Sequence, residues 1–98
     1  MIKVIVRRDH IEMSGHAMYD DYGKDIVCAS ASTLLISNVN LIMRFDSEAI
    51  KYCFENEKVS IDILKHSKVT DTIIFNMIEL LKELEEKYSK NIKIYEEV

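Results

Sequence analysis

The chain has 98 residues, 48% of them hydrophobic and 31% charged, and a formal net charge of −4. That is enough for one domain with a single core. It excludes a protein that grips nucleic acid non-specifically, because phosphate neutralisation needs clustered cations and Arg7-Arg8 is the only adjacent basic pair.

No apolar run is expected to approach the ~18 residues of a membrane helix, and no signal-peptide pattern opens the chain, so a cytoplasmic protein is expected. The two cysteines are read as thiols rather than a disulfide. Cys and His at metal-ligand spacing are lacking, so neither a metal nor another cofactor is expected.

Residues 2–8 alternate, with Ile2, Val4 and Val6 on one face, which predicts a strand. After a turn at Asp9-His10, residues 10–17 alternate again through Ile11 and Met13, predicting a β-hairpin. Residues 18–24 are read as a loop containing Tyr19, Asp20, Asp21, Tyr22 and Gly23. With Gly15 just before it and Gly23 near its end, this loop could act as a gate, with Tyr19 and Tyr22 as walls.

Asp25 suits a helix N-cap, and a helix is predicted from Ile26 to about Arg44. Its polar strip is narrow: Ser30, Thr33, Ser37, Asn40 and Arg44. Val27, Leu34, Leu35, Val39, Leu41, Ile42 and Met43 fill most of the remaining circumference. One sheet face cannot cover so wide an arc, so a second helix or another subunit is expected against it.

Two more alternating runs follow, carrying Ile50, Tyr52 and Phe54, then Val59, Ile61 and Ile63, with a turn at residues 55–58. Thr70 or Asp71 is expected to cap a second helix running to about Ser89, with a stripe of Ile73, Ile74, Met77, Ile78, Leu80, Leu81 and Leu84. Phe75 falls off that stripe and is expected at the surface. Residues 91–98 supply a last strand. The prediction is one α+β domain over residues 1–98, a mostly antiparallel sheet with two helices in the order ββαββαβ.

Cys28 would then lie in the first helical turn, where free N–H groups and the helix dipole favour a thiolate. A cysteine there can equally be a buried packing residue. His16 lies 12 residues earlier (28 − 16), across a strand–loop–helix corner, and could take the thiol proton and return it to a leaving group. Gly15 leaves room for other backbone or a substrate to approach. Asp25, three residues before Cys28, and Ser32, four after, share its helix face. Asp25 could orient His16 or simply cap the helix, and Ser32 could bond the thiolate or its own backbone. Cys53 is read as structural, and His10 and His66 as solvated.

The run Gly15-His16-Ala17, then Gly23, then Asp25-Ile26-Val27-Cys28-Ala29-Ser30-Ala31-Ser32 resembles the signature of the bacterial ribosomal-processing cysteine proteases, the Prp family. Ser30 departs from it, standing where the family usually has alanine; beyond Arg44 the likeness is in element order alone. The resemblance implies a His16–Cys28 dyad and a cytoplasmic homodimer. It also implies removal of the basic N-terminal extension of a large-subunit ribosomal protein, cut after a hydrophobic or aromatic residue. Two other readings stay open on the residues alone: a non-catalytic ribosome-associated peptide-binding module, and a redox-sensing thiol with Cys53 as its resolving partner.

Overall fold

The computed structural model describes residues 1–15, 22–56 and 58–97, with the side chains of the first helix described from Ile26 onward. The elements are β1 (Ile2–Val6), β2 (His10–Ser14), α1 (Tyr22–Phe45), β3 (Ile50–Glu55), β4 (Lys58–Ile63), α2 (Lys68–Lys87) and β5 (Ile92–Glu96). The predicted order ββαββαβ holds. The five strands form one sheet in the order β3-β4-β2-β1-β5. All neighbours are antiparallel except β5, which runs parallel to β1 with Ile2 beside Ile92 and Val4 beside Ile94.

The period-2 alternation of the strands divides the sheet into two unlike faces. Ile2, Val4, Ile11, Met13, Ile50, Val59, Ile61, Ile63 and Ile92 point to one side and are buried. Both helices lie over this side, and Val27, Ala31, Leu35, Val39 and Ile42 of α1 and Ile73, Ile74, Met77 and Leu81 of α2 close the core. Each of the larger side chains contributes up to about 1.5–3 kcal/mol by leaving water.

The other face is polar and carries His10, Glu12, Cys53, Ser60 and Asp62. There His10 Nδ1 meets Asp62 Oδ1 at 2.6 Å, His10 Nε2 meets Glu12 Oε1 at 2.9 Å, and Lys58 Nζ stands 3.2 Å from Glu12 Oε2. Off the sheet, His66 is bracketed in the same way, Nε2 by Asp9 at 2.5 Å and Nδ1 by Asp71 at 2.7 Å. The two rings are therefore not simply solvated. They tie the β1–β2 turn to β4 and to the start of α2.

A ring with a carboxylate at each nitrogen needs both N–H groups, so the imidazolium is favoured. The hydrogen bond to Asp62 raises the His10 pKa above 6.5, and those to Asp9 and Asp71 raise that of His66. A raised folded-state pKa gives stability that is fully present below about pH 6.5 and lost as pH climbs through the folded value. Thermal melts should therefore show Tm falling from pH 6 to pH 8. His66→Gln should flatten that slope, and a wild-type Tm rising over the same window would refute the assignment.

Several local expectations are corrected. β2 stops at Ser14 rather than residue 17. α2 is capped by Ser67, whose extended backbone (φ −138°, ψ 165°) lets its hydroxyl accept the Thr70 N–H at 3.1 Å, and not by Thr70 or Asp71. Phe75 is exposed as expected. α1 begins at Tyr22, so Asp25 lies inside the helix and is not its N-cap. Its polar strip is as predicted, but Asn38 was missed: it is buried and donates to the Leu34 carbonyl at 2.7 Å.

The stretch Ile26–Phe45, with Arg44 as its one charge, is long and apolar enough to cross a membrane by length and composition, contrary to expectation. In this fold it is a core helix. α2 supplies the second cover that so apolar a helix requires, yet Ile26, Ile36, Leu41, Met43 and Phe45 stay exposed on its outer side.

Candidate active site

The sheet delivers its chemistry at one end. β1 begins there with Ile2, β2 finishes there with Met13 and Ser14, and the β3–β4 hairpin brings Phe54 and Val59. Over that end passes the early part of α1, with Cys28 and Ser32 one turn apart on a single helix face. These seven residues line a cleft with about 290 Å³ of empty space, its open mouth included. Its floor is apolar, and α1 brings a thiol from Cys28 and a hydroxyl from Ser32 to it; Ser14 borders it on the phase of β2 that also carries His10 and Glu12.

Gly15 follows β2 directly with φ +83°, a region that side chains other than glycine's resist. A Cβ there would overlap the carbonyl oxygen of Met1. The room that Gly15 leaves is thus filled by backbone. It seats the start of β1 against the end of β2, and the chain leaves for His16 from that point.

His16 and Tyr19 lie outside the described residues. Tyr22, Gly23 and Asp25 fall in the first four positions of α1, and their side chains also lie outside the description. Of the predicted site residues, Cys28 and Ser32 are brought together in the cleft, and Gly15 stands at its rim.

Cys28 is the seventh residue of α1, not a member of its first turn. The first four helical N–H groups are the ones without an intrahelical acceptor, and dipole effects fade beyond the terminal turn. The helix start therefore does less for a Cys28 thiolate than the sequence suggested, and the Cys28 amide is committed to the helix.

Cys53 is not a packing residue. It points to the polar sheet face, is exposed, and has Glu55 Oε2 3.6 Å from its sulfur. The sheet separates it from half-buried Cys28, and no disulfide joins them. That placement removes the support for a Cys28–Cys53 redox pair.

Sequence reasoning missed the other wall of the cleft. Phe54 shares the apolar phase of its strand with Ile50, yet it sits on an edge strand where α1 does not cover it, and it remains exposed.

Comparison with known proteins gives the class. The chain is 34% identical over 85 residues to the ribosomal processing cysteine protease Prp of Staphylococcus aureus strain Mu50, covering 84% of this chain and 80% of that one. The crystal structure of the essential ribosomal processing protease Prp from S. aureus in complex with a substrate peptide superimposes with a TM-score of 0.91. It has 28% identity and covers 99% of this chain and all of that one. The same protease with a covalently linked product peptide gives a TM-score of 0.88 at 29% identity, over 99% of this chain and 100% of that one. The fold is that of a cysteine protease. The particular family follows from the model described as Cysteine protease Prp, which matches residues 1–93: the chain belongs to it. The reading as a non-catalytic peptide-binding module gives way to this membership.

Proposed function

We propose that this chain removes the basic N-terminal extension of a bacterial large-subunit ribosomal protein, cutting after a hydrophobic or aromatic residue with Cys28 as nucleophile and His16 as base. The observation that carries the proposal is the position of Cys28. It is half-buried in an apolar, open cleft at the end of the strand that leads into His16.

In this reading His16 takes the Cys28 proton and the thiolate attacks the scissile carbonyl carbon. The tetrahedral intermediate collapses to a thioester as the His16 imidazolium protonates the leaving amine. Water, deprotonated by His16, then hydrolyses the thioester and restores the thiol. Asp25 would orient His16, and Ser32, one turn beyond Cys28, would donate to the sulfur. The gating loop expected over residues 18–24 is shortened by the helix, since Tyr22 and Gly23 belong to the first turn of α1; Gly15 and Tyr19 stay as candidates for substrate binding on the segment between β2 and α1. The acidic balance of the chain suits a basic tail, and a ribosomal substrate suits a cytoplasmic enzyme.

The deciding experiment is incubation of the extended ribosomal protein with wild type and with Cys28→Ala, the products being read by mass spectrometry. Intact substrate with wild type would overturn the proposed substrate.

Thiol reactivity supplies an independent check. Cys53 is the more exposed of the two cysteines, so accessibility alone predicts that iodoacetamide modifies it first. An activated Cys28 reverses that order near neutral pH. Faster alkylation of Cys53, followed by peptide mapping, would remove the case for activation.

The proposal includes a homodimer. The exposed Ile36, Leu41, Met43 and Phe45 of α1 support it, since large apolar side chains grouped on one helix are typical of an interface. Sedimentation equilibrium should give twice the 11.4 kDa chain mass. The pair Ile36→Lys and Leu41→Lys should return it to the single-chain mass. A wild-type protein that sediments as one chain at micromolar concentration would refute the dimer.

A further inference from the structure

Phe54 is on the wrong side of its strand for a solvated residue. It belongs to the apolar phase of the sheet, pairs in register with buried Val59, and through Val59 reaches Met13 in the next row. Yet the residue is 59% exposed, on the edge strand β3. It lines the same cleft as Cys28. An aromatic ring held on the core face, at the open rim of a cleft containing a half-buried thiol, is left uncovered by the described residues.

The backbone of β3 indicates what can cover it. The Leu64 N–H donates to the Ala49 carbonyl at 2.8 Å, and the Ile63 N–H turns the other way, to Asp9. In an antiparallel ladder this alternation repeats every two residues. Lys51 and Cys53 therefore bond inward to β4, and Tyr52 and Phe54 turn their N–H and C=O groups to the free edge. An extended peptide can add to such an edge, main chain to main chain, and lay alternate side chains on the core face. On that face such a strand meets Phe54 first, with Val59 one strand and Met13 two strands further in along the cleft that Cys28 also lines.

We propose that Phe54 is a specificity-determining residue: its ring is the movable wall of an apolar subsite, completed by Val59 and Met13, that takes the large side chain next to the scissile bond of an extended substrate peptide. The inference rests on Cys28 as nucleophile and on cleavage after an apolar residue, and names the side chain that imposes the preference. Because the cleft is narrow, the ring swings outward to admit the substrate side chain and then packs against it. Its position on an edge strand leaves it free to do so.

The test compares two peptides identical except for Phe or Ala immediately before the cleaved bond, with kcat/KM measured for wild type, Phe54→Ala, Phe54→Leu and Cys28→Ala. Wild type should prefer the Phe peptide by at least about tenfold, the scale on which apolar pockets discriminate. Phe54→Ala should lose about tenfold more on the Phe peptide than on the Ala peptide, and Phe54→Leu should regain part of the preference. The far-UV circular dichroism spectrum and the cooperative melt of Phe54→Ala should match wild type, which a general loss of structure would not allow. An unchanged Phe-to-Ala ratio in both Phe54 variants, or equal losses on both peptides, overturns the proposal. Cleavage by Cys28→Ala would instead overturn the nucleophile, a result separate from the ratio.

Discussion

Replacing Cys28 by alanine should lower kcat/KM for the extended ribosomal protein by a factor on the order of 10⁴ or more, which is the scale for losing a nucleophile that acts as a unit with its base. The structure makes this variant clean. Cys28 is half-buried at the rim of the core, so removing its sulfur should cost no more than about 1 kcal/mol of stability. The folded protein should still bind substrate peptide, because the apolar walls supplied by Ile2, Met13, Phe54 and Val59 are untouched. Fluorescence anisotropy with a labelled peptide checks binding, and product analysis checks cleavage. His16→Ala should produce a loss of similar order. The position of Cys28 well inside α1 leaves the helix terminus little part in activation, so the base has more to supply. A variant lacking His16 that retained most activity would overturn this assignment.

The largest stability effect is expected at Gly15. A residue with a side chain at φ +83° costs about 1–2 kcal/mol from backbone conformation alone. The added Cβ would also overlap the Met1 carbonyl oxygen. That atom belongs to the backbone entering β1 and cannot move aside without disturbing the row from Ile2 to Ile92. Forced displacement of packed backbone typically costs a further ~1–3 kcal/mol. Gly15→Ala should therefore lower Tm by roughly 10–25 °C in a domain of this size. Gly15→Val should be worse. A Tm within a few degrees of wild type would show that the close approach is readily relieved.

The strands and the two helices were legible because each carries a clear period. Ile11 and Ile61 alternate with polar neighbours, and Ile73, Ile74, Met77 and Leu81 recur at helical spacing. The ends of elements were harder to read. Tyr22-Gly23 looks like loop because glycine is a poor helix former, yet α1 already includes it. Ser67 lost to Thr70 and Asp71 as the predicted cap because all three are good capping residues and nothing local ranks them. The choice falls to Ser67 because it is the residue with an extended backbone at the end of a connection tied down by His66.

The site was half legible. Rare residues at one strand–helix corner marked Cys28 and His16, and helical spacing added Ser32; of these, the cleft contains Cys28 and Ser32, and His16 lies outside the described residues. Its far wall could not be read from the chain. Phe54 enters the cleft through the hairpin pairing of β3 with β4 and the pairing of β4 with β2, the latter joining residues as far apart as Met13 and Val59 (59 − 13 = 46 positions). His10 and His66 were underestimated for the same reason, since their carboxylate partners Asp62 and Asp9 lie 52 and 57 residues away.

The parallel pairing of β1 with β5 also bears on how the protein should be handled. Because the two strands run the same way, Met1 and Glu97 fall at opposite ends of the sheet: the Ile2 N–H bonds Asn91 at one end and the Glu97 N–H bonds Val6 at the other. Met1 lies against Gly15, at the rim of the cleft that holds Cys28. An affinity tag fused ahead of Met1 would emerge beside the thiol, where it could obstruct the cleft or be cut as a substrate. A tag placed after the last strand would leave from the far end, clear of both.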